Sequence, residues 1–227
     1  MNSTVDIPGM QQMDAETFDV IVIGAGLSGV GTAVRLQRDC PDRDFILLER
    51  REAIGGTWDL FRYPGVRSDS DMHTLGYDFK PWEAEKTIAD GPSILSYVNE
   101  TADEYRIRER IRFGQKLIAA DWSSERSQWQ LTVETPDGIR RYRCGFLMMC
   151  AGYYSYDQGY EPEFEGKASF LGKWVHPQFW PENLDHADKT VVVIGSGATA
   201  MTLVPNMARR ARKITMLQRS PTYVVSR

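Results

Sequence analysis

Phe18-Asp-Val-Ile-Val-Ile-Gly24-Ala-Gly-Leu-Ser-Gly29 is the stretch that decides the fold. Apart from Asp19, its first six residues are apolar and mostly β-branched, as in a strand buried on both faces of a parallel sheet. The run stops at glycines 24, 26 and 29. Val30, Ala33, Val34 and Leu36 then recur at helical spacing and predict the inner face of a helix. Phe45-Ile-Leu-Leu-Glu49 reads as the next strand, with an acid at its C-terminal end, 20 positions after Gly29. Strand, glycine turn, helix, strand and terminal acid in this order predict a βαβ unit and an α/β fold of Rossmann-like type.

The same pattern returns downstream. Thr190-Val-Val-Val-Ile-Gly195 repeats the strand, and Gly195-Ser-Gly-Ala-Thr-Ala200 repeats the turn. Met201, Val204 and Met207 continue a helix that Pro205 is expected to kink, and Ile214 to Ser220 closes the next strand. A glycine triplet alone is weak evidence, because glycines serve ordinary turns; the surrounding order of elements is what the motif requires. Such glycines let backbone N–H groups approach a pyrophosphate at the positive end of a helix. Glu49 accepts hydrogen bonds from a ribose 2′-hydroxyl and repels a 2′-phosphate, so the first unit is expected to take FAD or NAD. Arg219 and Ser220 stand at the matching place in the second, where a guanidinium and a hydroxyl suit the 2′-phosphate of NADPH. A solvated surface charge is the plain alternative for Arg219, and the opposite sign at matched positions argues against it. Opposite preferences imply FAD in the first unit and NADPH in the second.

Composition sets the outer bounds. The 227 residues are 42% hydrophobic and 26% charged, with net charge -4, an ordinary globular balance that gives nucleic acid no basic surface. The cluster Arg209-Arg-Ala-Arg-Lys213 reads as a helix C-terminus, where cations favour the dipole. Cys40, Cys144 and Cys150 lack metal-ligand spacing, and an odd count suits a reduced, cytoplasmic protein. Met1 to Met10 has neither the basic start nor the apolar core of a signal peptide. No apolar run reaches the roughly 20 residues that span a bilayer, which leaves peripheral membrane contact open.

Between the two glycine units the chain is less regular. Gly55-Gly-Thr-Trp-Asp-Leu-Phe-Arg-Tyr-Pro-Gly-Val-Arg-Ser-Asp-Ser-Asp71 is too polar for a core element and too rich in rings for a disordered linker. Its place after Glu49 would let Gly56, Thr57 and Trp58 run along an extended cofactor; a packed surface loop is the blander reading. Asp90-Gly-Pro opens a helix with Leu95, Val98, Ala102 and Tyr105 on its inner face. Ile111 to Asp121, Trp129 to Glu134 and Gly138 to Arg143 predict a meander around turns at Ser123-Ser124 and Pro136-Asp-Gly138. Phe146 to Cys150 reads as a separate buried strand, with Cys150 as a small apolar filler and Gly152 admitting a cofactor. Phe170-Leu-Gly-Lys-Trp-Val-His-Pro-Gln-Phe-Trp-Pro181 has neither period and predicts a rigid, irregular connector between the two nucleotide units.

The connector also carries a family pattern. Phe170-x-Gly172-xxx-His176-xxx-Trp180-Pro181 resembles the signature of Baeyer–Villiger monooxygenases; the related N-hydroxylating and S-oxygenating flavin monooxygenases tend not to carry Trp-Pro at its end. A second signature accompanies it in Gly55-Gly56-x-Trp58, Tyr63-Pro64-Gly65 and Asp69, and Arg-Ser-Asp-Ser-Asp is similar to the ethionamide-activating branch. The resemblance implies an enzyme in which NADPH reduces FAD and a flavin C4a-peroxide formed from O2 delivers one oxygen. The substrates it implies are ketones, giving esters or lactones, or the sulfur of a thioamide or sulfide. By matched position, Gly24, Gly26, Ser28, Gly29, Glu49, Thr57, Trp58, Asp59, Leu60 and Asp69 are expected at FAD, with Leu117 reaching it through its backbone. Arg67, Ser68, Gly195, Ser196, Gly197, Ala198, Thr199, Ala200, Met201, Thr202, Arg219 and Ser220 are expected at NADPH. Asp69 stands where the family's active-site aspartate supports a catalytic arginine that has no counterpart here; a surface aspartate is the alternative. His176 is either a direct acid–base group or an anchor coupling the connector to the nicotinamide site, and the anchor is favoured because flavin supplies its own nucleophile.

These readings predict a flexible tail at 1–17, an FAD-binding domain at 18–168, a linker at 169–187 and the start of an NADPH-binding domain at 188–227. The whole is expected to be the truncated N-terminal portion of a longer flavoprotein, with impaired activity by itself. A non-catalytic FAD-binding module is the second reading. A two-dinucleotide reductase ranks third, because Cys144 and Cys150 are six apart rather than a redox Cys-x-x-Cys pair.

Overall fold

The computed structural model of the chain describes residues 15–224, so most of the tail expected at 1–17 lies outside the described residues. Two compact units divide the chain: residues through Gly56 with Glu100–Gly152, and Thr57–Asn99 with the residues from Tyr153 on. The segment 57–99, assigned by sequence to the first block, thus belongs to the same unit as the second glycine turn.

In the first unit, β1 (Glu16–Ile23), α1 (Leu27–Asp39) and β2 (Phe45–Leu48) form the expected βαβ unit. Strand β1 starts inside the expected tail, because Glu16 and Thr17 pair with Tyr142 and Arg143. Its last four residues and all four of β2 are buried, as continuous apolar runs require when both sheet faces are covered. Helix α1 turns Gly29, Val30, Ala33 and Val34 inward, while Leu36 is only half-buried. After α2 (Thr57–Leu60), α3 (Met72–Leu75) and α4 (Gly91–Glu104), the chain adds β3 (Ile111–Arg112), β4 (Lys116–Ser123), β5 (Gln128–Thr135) and β6 (Gly138–Met149). The six strands form one sheet in the order β3-β2-β1-β6-β5-β4. The pairs β1–β2, β1–β6 and β2–β3 are parallel, and β4–β5 and β5–β6 antiparallel.

Four expectations are corrected here. The strand expected over Ile111 to Asp121 is broken at Gly114, which takes a positive φ of 63°. The strands expected at Gly138 to Arg143 and at Phe146 to Cys150 are one twelve-residue strand, β6. Its first half pairs with β5 and its second runs parallel to β1, so no turn is needed between them. Phe146 and Met149 on β6 are exposed rather than buried. On α4 the inner face is Ile94, Tyr97, Val98, Thr101 and Ala102, one position out of phase with Leu95.

The core of this unit joins the two halves of the sheet. Ile21, Ile23, Ile46 and Leu48 of the parallel part pack with Leu131, Val133, Tyr142 and Cys144 of the meander. Tyr142 is fully buried, and its hydroxyl donates to Gln115 Oε1 at 3.0 Å and accepts from Arg112 at 3.1 Å, which meets the hydrogen-bonding need of a buried phenol. Arg112 also pairs with Glu16 at 2.7 Å and holds that carboxyl below its usual range. Burial pushes the Cys144 thiol up to about 11, so it stays a neutral thiol in the core.

In the second unit, β7 (Thr190–Ile194), α5 (Ala198–Met207) and β8 (Lys213–Leu217) repeat the first motif, with β7 and β8 parallel. Helix α5 continues through Pro205 to Met207. Its buried Leu203 and Met207 pack with Phe61 and Tyr63, and Val66, Trp180, Val191 and Ile214 border the cluster. The aromatic loop after Glu49 is therefore part of this core. Phe170 to Pro181 contains only one short 3-10 turn, Pro177–Phe179, as its lack of period predicts.

A Cβ added at Gly29 would lie 1.9 Å from the Gly24 carbonyl oxygen, a contact that forces α1 away from the turn. Gly29→Ala is therefore expected to cost about 3 kcal/mol of stability, read as a lower urea midpoint. Gly26→Ala, which meets only Gly56 Cα at 3.5 Å, is expected to cost about 1 kcal/mol. Equal midpoints for the two variants would contradict this.

Candidate functional site

The two glycine turns are built alike. The Gly24 N–H donates to Leu48 O at 2.8 Å and the Gly195 N–H to Leu217 O at 2.8 Å, tying each turn to the end of the following strand. Both lead glycines sit at positive φ, 102° and 124°, where other residues are strained. Gly26 and Gly197 then cap α1 and α5 with extended backbone and no side-chain cap. The first-turn N–H groups of both helices are therefore oriented for an acceptor from outside the helix. At Gly197 an added Cβ would meet nothing within 4 Å, and at Gly26 only ordinary contact. Packing within the chain thus requires glycine at neither cap. A pyrophosphate approaching the backbone does require it, so both turns fit the dinucleotides implied by the sequence.

The strand ends differ as their charges do. Glu49 is 3% exposed; its Oε2 accepts from Ala25 N at 2.8 Å and its Oε1 from Arg51 N at 2.9 Å. The carboxylate is thus fixed against the glycine turn, with lone pairs left for a ribose hydroxyl. In the second unit the roles of side chain and backbone reverse. The Ser196 hydroxyl, at the place of Ala25, donates to Ser220 O at 3.4 Å and accepts from the Thr222 hydroxyl at 2.8 Å. Arg219 is exposed, and among the described residues its guanidinium makes no hydrogen bond or ion pair. One strand end holds its acid in place; the other presents its cation outward.

The remaining expected residues fall into distinct settings. In the first unit, Ser28 is exposed on the first turn of α1, and Leu117 lies at a β-bulge of β4 against Val133. Bulges free a backbone group from the ladder, which is what a backbone contact from Leu117 needs. In the second unit, Thr57, Trp58, Asp59 and Leu60 form α2 and are half-buried, and Asp59 pairs with Arg62 at 2.6 Å. Ser68 is buried and its N–H donates to Ala89 O, whereas Arg67 and Asp69 are exposed. Burial above all raises the Tyr63 phenol, and the charge of Asp69 adds to the rise there and at Tyr154. The Tyr153 hydroxyl, burial and neighbouring charges together push Tyr154 up to about 12. Within the second turn Gly197 and Ala198 are exposed, whereas Ala200 and Thr202 are buried.

His176 stands apart from these groups. It caps the turn Pro177–Phe179, with Nδ1 accepting from Gln178 N at 3.2 Å. The buried Gln178 donates to Ser155 O at 2.6 Å, and Gly159 lies so close over the imidazole that a Cβ there would be 2.1 Å from the ring. His176 lines a cavity of about 360 Å³ with Gln158, Gly159, Tyr160, Glu161 and Phe179, which includes none of the other expected site residues. Glu161 accepts hydrogen bonds from Lys167, at 2.6 Å, and from the Trp174 indole, and the Lys167 bond above all holds its carboxyl below the usual range.

Two features escaped the sequence reading. Tyr63 packs with Leu203 and Met207 of α5, and Gly159 seats His176. Tyr63 lay in plain view within Tyr-Pro-Gly, but nothing in its spacing tells where a loop residue packs.

The model of the flavin-binding monooxygenase-like family matches residues 17–227. The FAD-containing monooxygenase EthA of Mycolicibacterium smegmatis is 55% identical over 212 residues, covering 93% of this chain and 43% of that protein. EthA of Mycobacterium tuberculosis is 54% identical over the same length. Among solved structures, cyclohexanone monooxygenase from Rhodococcus sp. Phi1 bound to NADP+ superposes with a TM-score of 0.79 at 28% identity, over 93% of this chain and 40% of that one. An oxidized steroid monooxygenase bound to NADP gives 0.80 at 32%, over 92% and 40%. The chain spans about two fifths of the length of these relatives.

Gly65, at φ 80°, turns the Tyr-Pro-Gly loop against α5, where an added Cβ would meet the Asn206 side chain at 2.0 Å. Gly65→Ala is expected to lower stability by about 3 kcal/mol, from left-handed strain plus the clash. Asn206→Ala in the same chain should restore only the part due to the clash, a partial recovery in thermal melting. No loss in the single variant would refute the close approach.

Proposed function

Because the chain belongs to the flavin-binding monooxygenase-like family, we propose that it forms the FAD-holding and part of the NADPH-holding portion of a monooxygenase. The reaction proposed is insertion of one oxygen atom from O2 into a ketone, giving an ester or lactone, or its transfer to the sulfur of a thioamide or sulfide. The observation that carries the cofactor assignment is the pair of matched glycine turns with opposite strand-end residues, the buried Glu49 and the outward Arg219. The connector signature and the Baeyer–Villiger-type solved relatives support the oxygen-insertion chemistry.

In this reading Gly24, Gly26, Ser28 and Gly29 receive the FAD pyrophosphate, and Glu49 accepts from the ribose. Thr57, Trp58, Asp59, Leu60, Asp69 and the Leu117 backbone complete the flavin side. The turn from Gly195 to Thr202 receives the NADPH pyrophosphate, Arg219 and Ser220 the 2′-phosphate, and Arg67 and Ser68 a further part of that cofactor. Bound there, the two cofactors supply hydride transfer and oxygen activation; the chain's part is to orient them and exclude water. The proposed domains remain an FAD-binding part within 18–168, a linker at 169–187 and an NADPH-binding part from 188. His176 serves as an anchor rather than an acid–base group. Its Nδ1 is committed to Gln178 N, and Gly159 covers its ring.

The purified chain is expected to carry FAD. Arg219→Ala is expected to weaken NADP+ binding about tenfold, the loss of one charge-assisted contact, with NAD+ binding unchanged in calorimetric titration. A chain without FAD would refute the assignment of the first turn, and equal losses for both nucleotides that of Arg219. In a full-length enzyme carrying this chain, His176→Ala is expected to slow flavin reduction or oxygen transfer in stopped flow while FAD stays bound. Unchanged rates of both would refute the anchor.

A further inference from the structure

Ser196 stands between Gly195 and the Gly197 cap of α5, and its hydroxyl is engaged on both sides. It donates to Ser220 O at 3.4 Å and accepts from the Thr222 hydroxyl at 2.8 Å. A serine hydroxyl has one proton to donate, so this one is committed and the turn offers a ligand its backbone N–H groups. The two partners flank Pro221, whose ring fixes φ and limits how far they can separate. On the other side of Arg219, the Gly195 N–H is bonded to Leu217 O at the end of β8. Gln218 and the exposed Arg219 therefore lie in a short segment fastened to the glycine turn at both ends. The second fastening depends on Thr222 and Ser196, because steric exclusion does not hold this turn: Cβ atoms added at Gly195 and Gly197 meet nothing within 4 Å.

We propose that Thr222 is a positioning residue that sets cofactor specificity at the second dinucleotide site: through Ser196 it fixes Arg219 at a set distance from the N–H groups that open α5. This rests on the assignment of NADPH to that turn. A cofactor with a 2′-phosphate must meet Arg219 and the turn at once, so its binding depends on their separation. NAD+ lacks that phosphate and depends on the turn alone. Thr222 acts through Ser196, not by touching the nucleotide.

The test is calorimetric titration of NADP+ and NAD+ into the purified chain and its Thr222 variants, with melting temperature measured on the same samples. Thr222→Val keeps the side chain's shape at an exposed position. It is expected to weaken NADP+ binding about fivefold, the worth of one neutral hydrogen bond, with NAD+ binding unchanged. Thr222→Ser, which keeps the hydroxyl, is expected to recover the affinity. In the Ser196→Ala or the Arg219→Ala background, Thr222→Val is expected to have no further effect on NADP+. A purely structural role for Thr222 would lower the melting temperature but leave the NADP+ constant in place, and that result overturns the proposal. So do equal losses for the two nucleotides, a serine variant as weak as the valine one, or an undiminished effect in either background. Failure of the unsubstituted chain to bind NADP+ would instead refute the cofactor assignment, and the proposal with it.

Discussion

The close self-approach of the chain at its first glycine turn is the constraint on which the rest of the first unit depends. Gly29 leaves no room for a side chain against the Gly24 carbonyl, and a Cβ on Gly24 would sit 2.5 Å from the Cys150 carbonyl oxygen. Three backbone segments, from β1, α1 and the end of β6, therefore converge without intervening side chains. That convergence sets α1 on β1 and β2 and aims its N-terminus at the turn. It also fixes where β6 ends, since Cys150 N–H bonds Ile23 O there. The hydrophobic pattern alone would permit many helix placements; steric exclusion at two glycines selects this one.

The second unit uses the same backbone plan with different surroundings. Its turn has the same closing hydrogen bond and cap geometry, yet none of the first turn's crowding: Gly195 and Gly197 meet no neighbour within 4 Å of an added Cβ. Its fixity comes from side chains instead, through the Ser196 hydroxyl bonded to Ser220 and Thr222 in the segment after β8. The first turn is locked by sterics and by a buried acid, the second by hydroxyls. A turn held by hydrogen bonds of about 1 kcal/mol each is easier to displace than one held by carbon–oxygen exclusion.

The connector shows why aromatic, aperiodic segments resist simple reading. Its rings serve different local purposes. Trp180 borders the core around α5, Trp174 lies tilted against Phe164 and bonds Glu161, and Phe170 folds back over Gly172 so closely that a Cβ there would lie 2.4 Å from its ring. His176 belongs to a fourth arrangement, held by Gln178 and Gly159. The segment is a set of local clasps rather than one catalytic box.

Local rules decided much of this molecule from the sequence alone. Apolar β-branched runs ending in glycine specify buried parallel strands, and helical spacing specifies α1 and α5. The charge at each strand end is likewise open to local reading, because these effects act over a few residues. The continuity of β6 was not legible: Gly138 to Arg143 and Phe146 to Met149 look like two strands, and only pairing with β5 on one stretch and β1 on the next makes them one. On α4 the buried face runs through Ile94 and Tyr97 rather than Leu95. The loop through Tyr63 carried its signature openly, yet its membership of the second unit rests on Phe61 and Tyr63 meeting Leu203 and Met207, more than a hundred residues away. Sequence determined which βαβ elements form and which charge each strand end carries. Tertiary structure alone decided which loop braces which turn, because burial partners distant along the chain are set by packing and leave no period in the sequence.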